Sequence, residues 1–225
     1  MFYSPYDWLL LPAMALALYA QYKVRSTYQR FSQIRAAAGL TGAQVANRLL
    51  RASNINDVTV EETSGTLSDH YDPVRKVLRL SSGVYASDSI AALGVAAHET
   101  GHAEQHATGY LPLRLRHSIV ALANFGSSLA IPLFLVGLLL SIPSLMTLGI
   151  LFFAGAVLFQ VVTLPVEFDA SRRALARLQS AGFLSESEVG GARKVLSAAA
   201  LTYIAATAVA LVQLLRLIML RSSRD

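Results

Sequence analysis

The sequence predicts a mainly α-helical, membrane-embedded fold of about four transmembrane helices, with one small α+β domain that carries a β-hairpin. Three observations predict it. Hydrophobic residues make up 54% of the 225-residue chain, charged residues only 15%, and mean hydropathy is +0.47, too apolar for an ordinary soluble domain. Two runs, Ile119–Ile142 and Leu145–Pro165, carry no charge, and each exceeds the roughly 20 residues a helix needs to cross a bilayer core. Between the apolar runs lie charged stretches with capping and alternation signals, the mark of a domain in water.

The first expected span is Leu9–Ala20, flanked by Tyr6, Trp8, Tyr19 and Tyr22 like an interfacial aromatic belt. A cleavable signal peptide is disfavoured, because no positive residue precedes the apolar run and Asp7 sits at its head. Lys23–Ala38 has the spacing of an amphipathic helix that lies at the interface or continues the span, and Gly39 stops it. Thr41 caps a helix over Gly42–Ser53 with Val45, Leu49 and Leu50 on one side. Asp57–Glu62 alternates like a short strand. Thr66–Tyr71 and Lys76–Ser81 flank Asp72-Pro73 and predict a hairpin. Ser87-Asp88 is expected to cap a helix from Ser89 to about His106. Ala198–Leu215 is the last uncharged span. The expected organisation is a first span in 1–22, an α+β domain in 23–117, a transmembrane hairpin in 118–166, a helix and loop in 167–196, and a last span with its tail in 197–225.

Chemistry concentrates in His98-Glu99-Thr100-Gly101-His102. Helix positions four apart stack on one face, so His98 and His102 can each offer a ring nitrogen to one tetrahedral zinc ion. Glu99, beside the first of them, is placed to take a proton from an attacking water and later carry it to a leaving amine. Such a site needs a third protein ligand. His106 is excluded, since on an unbroken helix it lies about 12 Å along the axis from His98. It is expected to be a polar residue on the helix surface, and His117 an interfacial one. Glu167 is the choice. Between His102 and Glu167 the chain crosses the membrane twice, which returns it to the starting face, and a carboxylate at the end of a span is otherwise unfavourably placed. The plain alternative for Glu167 is an ion pair with Arg172 or Arg173. Asp169 points off that helical face and is expected to hydrogen-bond behind the ligands or to be a solvated charge. His70 is a candidate behind the ligands or on the substrate side, and either His70 or Tyr71, by position, is the candidate for steadying an oxyanion.

The chain has no cysteine, which removes disulfides, thiolate ligands and thiol nucleophiles. Its net charge of +5 does not imply a nucleic-acid partner, because all 19 Lys and Arg lie outside the uncharged spans. Sixteen of them fall in 21–118 and 166–197, and Arg216, Arg221 and Arg224 follow the last span. The positive-inside rule then places the two larger segments, and the active site, in the cytoplasm, with both termini across the membrane. The short apolar run Ile90–Ala97 before the motif cannot span, so the site is expected at the membrane surface.

The sequence resembles the YugP-type neutral zinc metallopeptidases of bacterial membranes along nearly its whole length. The matching stretches are Gly39–Gly42, Leu67–Pro73, Val77–Ser81, Ala96–Ala103, Leu164–Phe168 and Gly191–Leu196. Its layout is also similar to that of HtpX-type membrane proteases: a hairpin, a helix with the zinc motif, two spans, then a Glu-Phe-x-Ala ligand helix, here Glu167–Ala170. The resemblance implies zinc, ligands at His98, His102 and Glu167, Glu99 as general base, and residence in the bacterial inner membrane. It also implies that the strand at Thr66–Tyr71 pairs with an extended substrate. One departure stands out. HtpX-type proteins carry Asp four residues after the ligand Glu, where it supports a zinc histidine. This chain has Ser171, so that support is expected from elsewhere.

Residues and resemblance together predict a membrane-bound zinc metalloendopeptidase acting on membrane-associated protein or peptide substrates. An intramembrane protease would need the zinc helix inside the bilayer, and no such pattern is visible. A non-catalytic scaffold with a structural metal would need a fourth protein ligand, and none is evident. The sequence does not fix an oligomeric state.

Overall fold

The structure, a computed structural model, describes residues 6–223. It is mainly helical, with a small three-stranded sheet. A 3-10 turn at Asp7–Leu9 leads into α1 (Leu10–Ser32), followed by α2 (Gly42–Ala52), β1 (Thr59–Thr63), β2 (His70–Asp72) and β3 (Val77–Ser81). A one-turn α3 (Ser82–Tyr85) precedes α4 (Ile90–Ala107), and three long helices complete the chain: α5 (Leu111–Leu139), α6 (Pro143–Ser180) and α7 (Glu186–Ser222). These last three are long and apolar enough to cross a membrane.

Two compact units divide the chain. A helical unit comprises Met1–Gln21, Arg114–Leu164 and Thr202–Asp225, and an α+β unit comprises Tyr22–Leu113 and Pro165–Leu201. The borders expected at 117/118 and 166/167 fall inside α5 and α6, which run through them without a break. Lys23–Ser32 continues the first helix rather than forming a separate one. That helix ends at Ser32, seven residues before the stop expected at Gly39, which instead lies in a turn at φ +62°. Arg224 lies outside the described residues.

In the α+β unit the capping signal at Thr41 is realised in full. Its hydroxyl accepts from the Gln44 amide while the Gln44 side chain accepts from the Thr41 amide. The expected cap at Ser87-Asp88 is corrected by one residue: Ser89 is the N-cap of α4, which starts at Ile90, and its hydroxyl accepts from the Ala92 amide. Asp88 instead pairs with Arg35 at 2.6 Å, and α3, unforeseen in the sequence, fills the gap after β3.

The hairpin exists, with a shorter first strand than expected. β2 and β3 are antiparallel, His70 opposite Arg79 and Asp72 opposite Val77. The segment before His70 is not extended, because Leu67 is left-handed at φ 56°. The Asp69 carboxylate there takes the Ser81 amide at 2.7 Å, ending the ladder with a side chain in place of backbone. At the turn, Asp72 accepts from the Val74 and Arg75 amides. β1 joins the far side of β3 in parallel, so the order is β1-β3-β2. As the middle strand, β3 is buried on both faces (Val77, Leu78, Leu80), with Arg79 its one half-buried charge.

α4 is the centre of this unit. One cluster joins its Ile90, Leu93 and Ala97 to Leu49 of α2, Leu178 of α6 and Val195 of α7. A second joins its Ala92 and Ala96 to Leu78 and Leu80 of β3. A helix covered on most sides shows little amphipathic pattern, so its polar residues in the second half are buried with the rest.

Candidate metal centre

The second half of α4 faces the stretch of α6 that follows Pro165. Gly101 sets the separation: a Cβ there would stand 2.8 Å from the Ala170 carbonyl oxygen, so the second variable position of the motif needs the residue without one. At this close crossing His98, His102 and Glu167 bring one ligand atom each within 4.8 Å of one another. Glu167 Oε2 lies 3.2 Å from His98 Nε2 and 3.6 Å from His102 Nε2. Ligand atoms about 2.0–2.1 Å from a tetrahedral zinc ion stand about 3.3–3.4 Å apart. The three groups therefore fit a zinc ion. Glu167 is 2% exposed, and the imidazole rings are set edge to face at 83° with centroids 4.8 Å apart.

Each histidine is held from behind. His98 Nδ1 is 3.1 Å from the Ser171 hydroxyl. The expectation that support for the zinc histidines comes from elsewhere than position 171 is corrected here: one α-helical turn after Glu167, Ser171 reaches the ring itself. His102 Nδ1 meets Gln105 Oε1 at 3.0 Å, and Gln105 Nε2 donates to the Val166 carbonyl at 2.8 Å and to Asp169 Oδ2 at 3.0 Å. With both amide hydrogens of Gln105 committed to acceptors, its oxygen must face His102. Nδ1 of that ring then carries the proton, and Nε2 keeps its lone pair for a metal.

A charged network fixes the two helices behind this arrangement. Asp169 accepts from Arg173 at 2.6 Å and also pairs with Arg172. Glu104, buried on α4, accepts from Arg177 at 2.9 Å and from the Ser53 hydroxyl at 2.6 Å. Arg172 and Arg173 thus face Asp169, with Glu167 turned toward the histidines. Burial works against a charged His102, but the Glu167 carboxylate and then Glu99 outweigh it and hold the imidazole above its ordinary pKa. The local field favours a cation among these groups. Glu99 is buried beside His98 at 8% exposure.

His106 is not part of this group. Half-buried rather than a free surface residue, its Nδ1 lies 2.8 Å from the Tyr71 hydroxyl. His70 is exposed, its Nδ1 2.8 Å from the Ser68 carbonyl. Sequence reasoning missed Gln105, Ser171 and Glu104. The signal was present as spacing, Gln105 three residues after His102 and Ser171 four after Glu167, but spacing alone does not reveal which helix lies opposite.

Fold and site together define a His-His-Glu group that could hold a metal ion, in a protein with three helices long and apolar enough to cross a membrane. Residues 6–222 match the family described as "Putative neutral zinc metallopeptidase", and the chain belongs to that family. It is 50% identical over 212 residues to a Bacillus subtilis protein named "Putative membrane protease YugP", covering 94% of each chain. No solved structure matches it.

Proposed function

We propose that this chain is a membrane-bound zinc metalloendopeptidase that hydrolyses peptide bonds at the membrane surface. The observation that carries the reading is the spacing of His98 Nε2, His102 Nε2 and Glu167 Oε2, with Glu99 buried next to the first ligand. A zinc ion held by those three atoms supplies Lewis acidity toward water and a scissile carbonyl. Glu99, free of the ligand set, acts as general base: its carboxylate takes the proton of the attacking water and returns it to the departing amine. Ser171 and Gln105 keep the two rings aimed.

Successive residues of a strand face opposite sides, so only one of His70 and Tyr71 can face α4. Tyr71 does so through His106. Burial, then Asp57 and Asp72, push its hydroxyl up to about 12, so it keeps its proton as a hydrogen-bond donor. By their position on β2, His70 or Tyr71 is proposed for oxyanion support. β2 is an edge strand, and an extended peptide adding to it would be held by main-chain hydrogen bonds with loose side-chain selectivity.

Replacing Glu99 with Gln should leave zinc bound and lower peptide cleavage by at least about a hundredfold. Elemental analysis beside a cleavage assay checks this. Retained cleavage by the zinc-loaded variant would rule the mechanism out.

The uncharged start of α1 is taken as a fourth span, and the distribution of Lys and Arg places the α+β unit in the cytoplasm of a bacterial cell, beneath the inner membrane. Because the chain has no cysteine, Ala52→Cys and Ser223→Cys report topology cleanly. In intact cells a membrane-impermeant thiol reagent should label only Ser223→Cys. Labelling of Ala52→Cys alone would invert the orientation.

A further inference from the structure

Elsewhere in the α+β unit, α1 and α7 line a cavity of about 600 Å³ whose walls carry four cations and no acid. Lys23 and Arg30 come from α1, Arg193 and Lys194 from α7. Lys23, Thr27 and Arg30 share one face of α1 by their spacing of four and three, and Arg193, Ser197 and Leu201 share one face of α7 by their spacing of four. None of the four cations has an ion-pair partner among the described residues, whereas Arg35, Lys76, Arg79, Arg173 and Arg177 of the same unit each face an acid. The Thr27 and Ser197 hydroxyls are likewise free of hydrogen-bond partners among the described residues. Like charges gathered round one cavity repel each other, and an anion with several acceptor oxygens relieves that repulsion while taking the hydroxyl donors.

The remaining wall is apolar. Phe31 and Ala198 are buried in it, and Leu201 is half-buried. Chain direction gives this a meaning. Toward the N-terminus from Lys23 no charge occurs until Asp7, and toward the C-terminus from Lys194 none occurs until Arg216. On both helices the cavity sits where charge stops and a long uncharged stretch begins, which on a membrane-crossing helix such as α7 is the level of the lipid phosphates.

We propose that this cavity binds a phosphate-bearing anion, and that the anion is the head group of an anionic phospholipid whose acyl chain follows the uncharged part of α7. The site would anchor the α+β unit to an anionic leaflet by a contact separate from the metal centre, whether or not that centre cleaves peptides.

The test uses the full chain in neutral detergent with fluorescent phosphatidylglycerol or phosphatidylcholine as probe. Phosphatidylglycerol should bind at least about tenfold tighter. Arg193→Gln with Lys194→Gln, and separately Lys23→Gln with Arg30→Gln, should each weaken it by about 10- to 30-fold, while leaving phosphatidylcholine binding as it was. The pair Arg48→Gln and Arg51→Gln, exposed on α2 and outside the cavity, should change nothing. Equal binding of the two lipids, or equal losses in the α2 pair, would overturn the proposal. Inorganic phosphate and glycerol phosphate distinguish the source. Weak competition supports a lipid, and displacement at concentrations matching phosphatidylglycerol would overturn the lipid assignment in favour of a soluble phosphate compound.

Discussion

The two units of this molecule invert each other. In the helical unit large apolar side chains are turned outward: Leu18, Leu122, Leu139 and Leu151 are all at least 62% exposed. In the α+β unit Leu49, Leu78, Leu80 and Leu93 are sealed inside, and so are Glu99, Glu104, Glu167 and Asp169. The first pattern is what hydrocarbon solvent allows, since a leucine facing lipid loses nothing by being outside. The second needs water around the unit and a reason to bury four carboxylates, because a buried charge without partners is costly. Three of those carboxylates have their partners in the arginines, the histidines and Gln105. The unit with charge in its core is the unit that holds the His-His-Glu group. α6 passes through both regimes, with Leu151 outward at one end and Glu167 inward at the other.

The largest test of that division is at the metal. An apparent binding energy of about 10–16 kcal/mol spread over three protein ligands is roughly 3–5 kcal/mol for each. Glu167→Ala should therefore cost zinc affinity several hundredfold or more, while His106→Ala, four residues beyond His102 but paired with Tyr71, should hardly change it. Zinc competition against a chromogenic chelator measures both. Loss of metal on His106→Ala with retention on Glu167→Ala would mean that Glu167 is buried for another purpose.

A smaller effect separates the two kinds of leucine. Leu93→Ala removes a fully buried side chain from the cluster around α4 and should destabilise the protein by about 2–5 kcal/mol. Leu151→Ala, 62% exposed, should cost no more than about 0.5 kcal/mol. Thermal unfolding in detergent compares them. Equal losses would mean that Leu151 is covered, as by a second copy of the chain, and the contrast between the units would fail.

The sequence made the inversion partly legible. Uncharged length predicted α5 through α7, since a bilayer's thickness is a constraint that single residues carry additively. The motif and the even number of crossings led to His98, His102 and Glu167, which the structure brings together. Strand length was less legible. Asp69 ends β2 by reaching across to Ser81, a side-chain choice invisible to alternation. The groups behind the histidines were least legible of all. Ser171 was read as a missing aspartate, because its worth depends on a distance between helices that Gly101 sets.

Those two supports give the finest prediction. Gln105 is fully buried and holds His102 in one tautomer through a chain that continues to Asp169 and its arginines. Gln105→Ala would leave the ring proton without an acceptor and take one of its two donors from Asp169 Oδ2, which keeps Arg173, in a place water does not readily refill. Ser171 is half-buried, so a water can stand in for its hydroxyl at His98. Within the 10- to 100-fold range typical of such supporting groups, Gln105→Ala should fall near the top and Ser171→Ala near the bottom. The same chelator competition measures both. If Ser171→Ala costs as much as Gln105→Ala, the two rings are supported alike, and the arginine–aspartate network around buried Asp169 matters for packing α4 on α6 rather than for aiming His102.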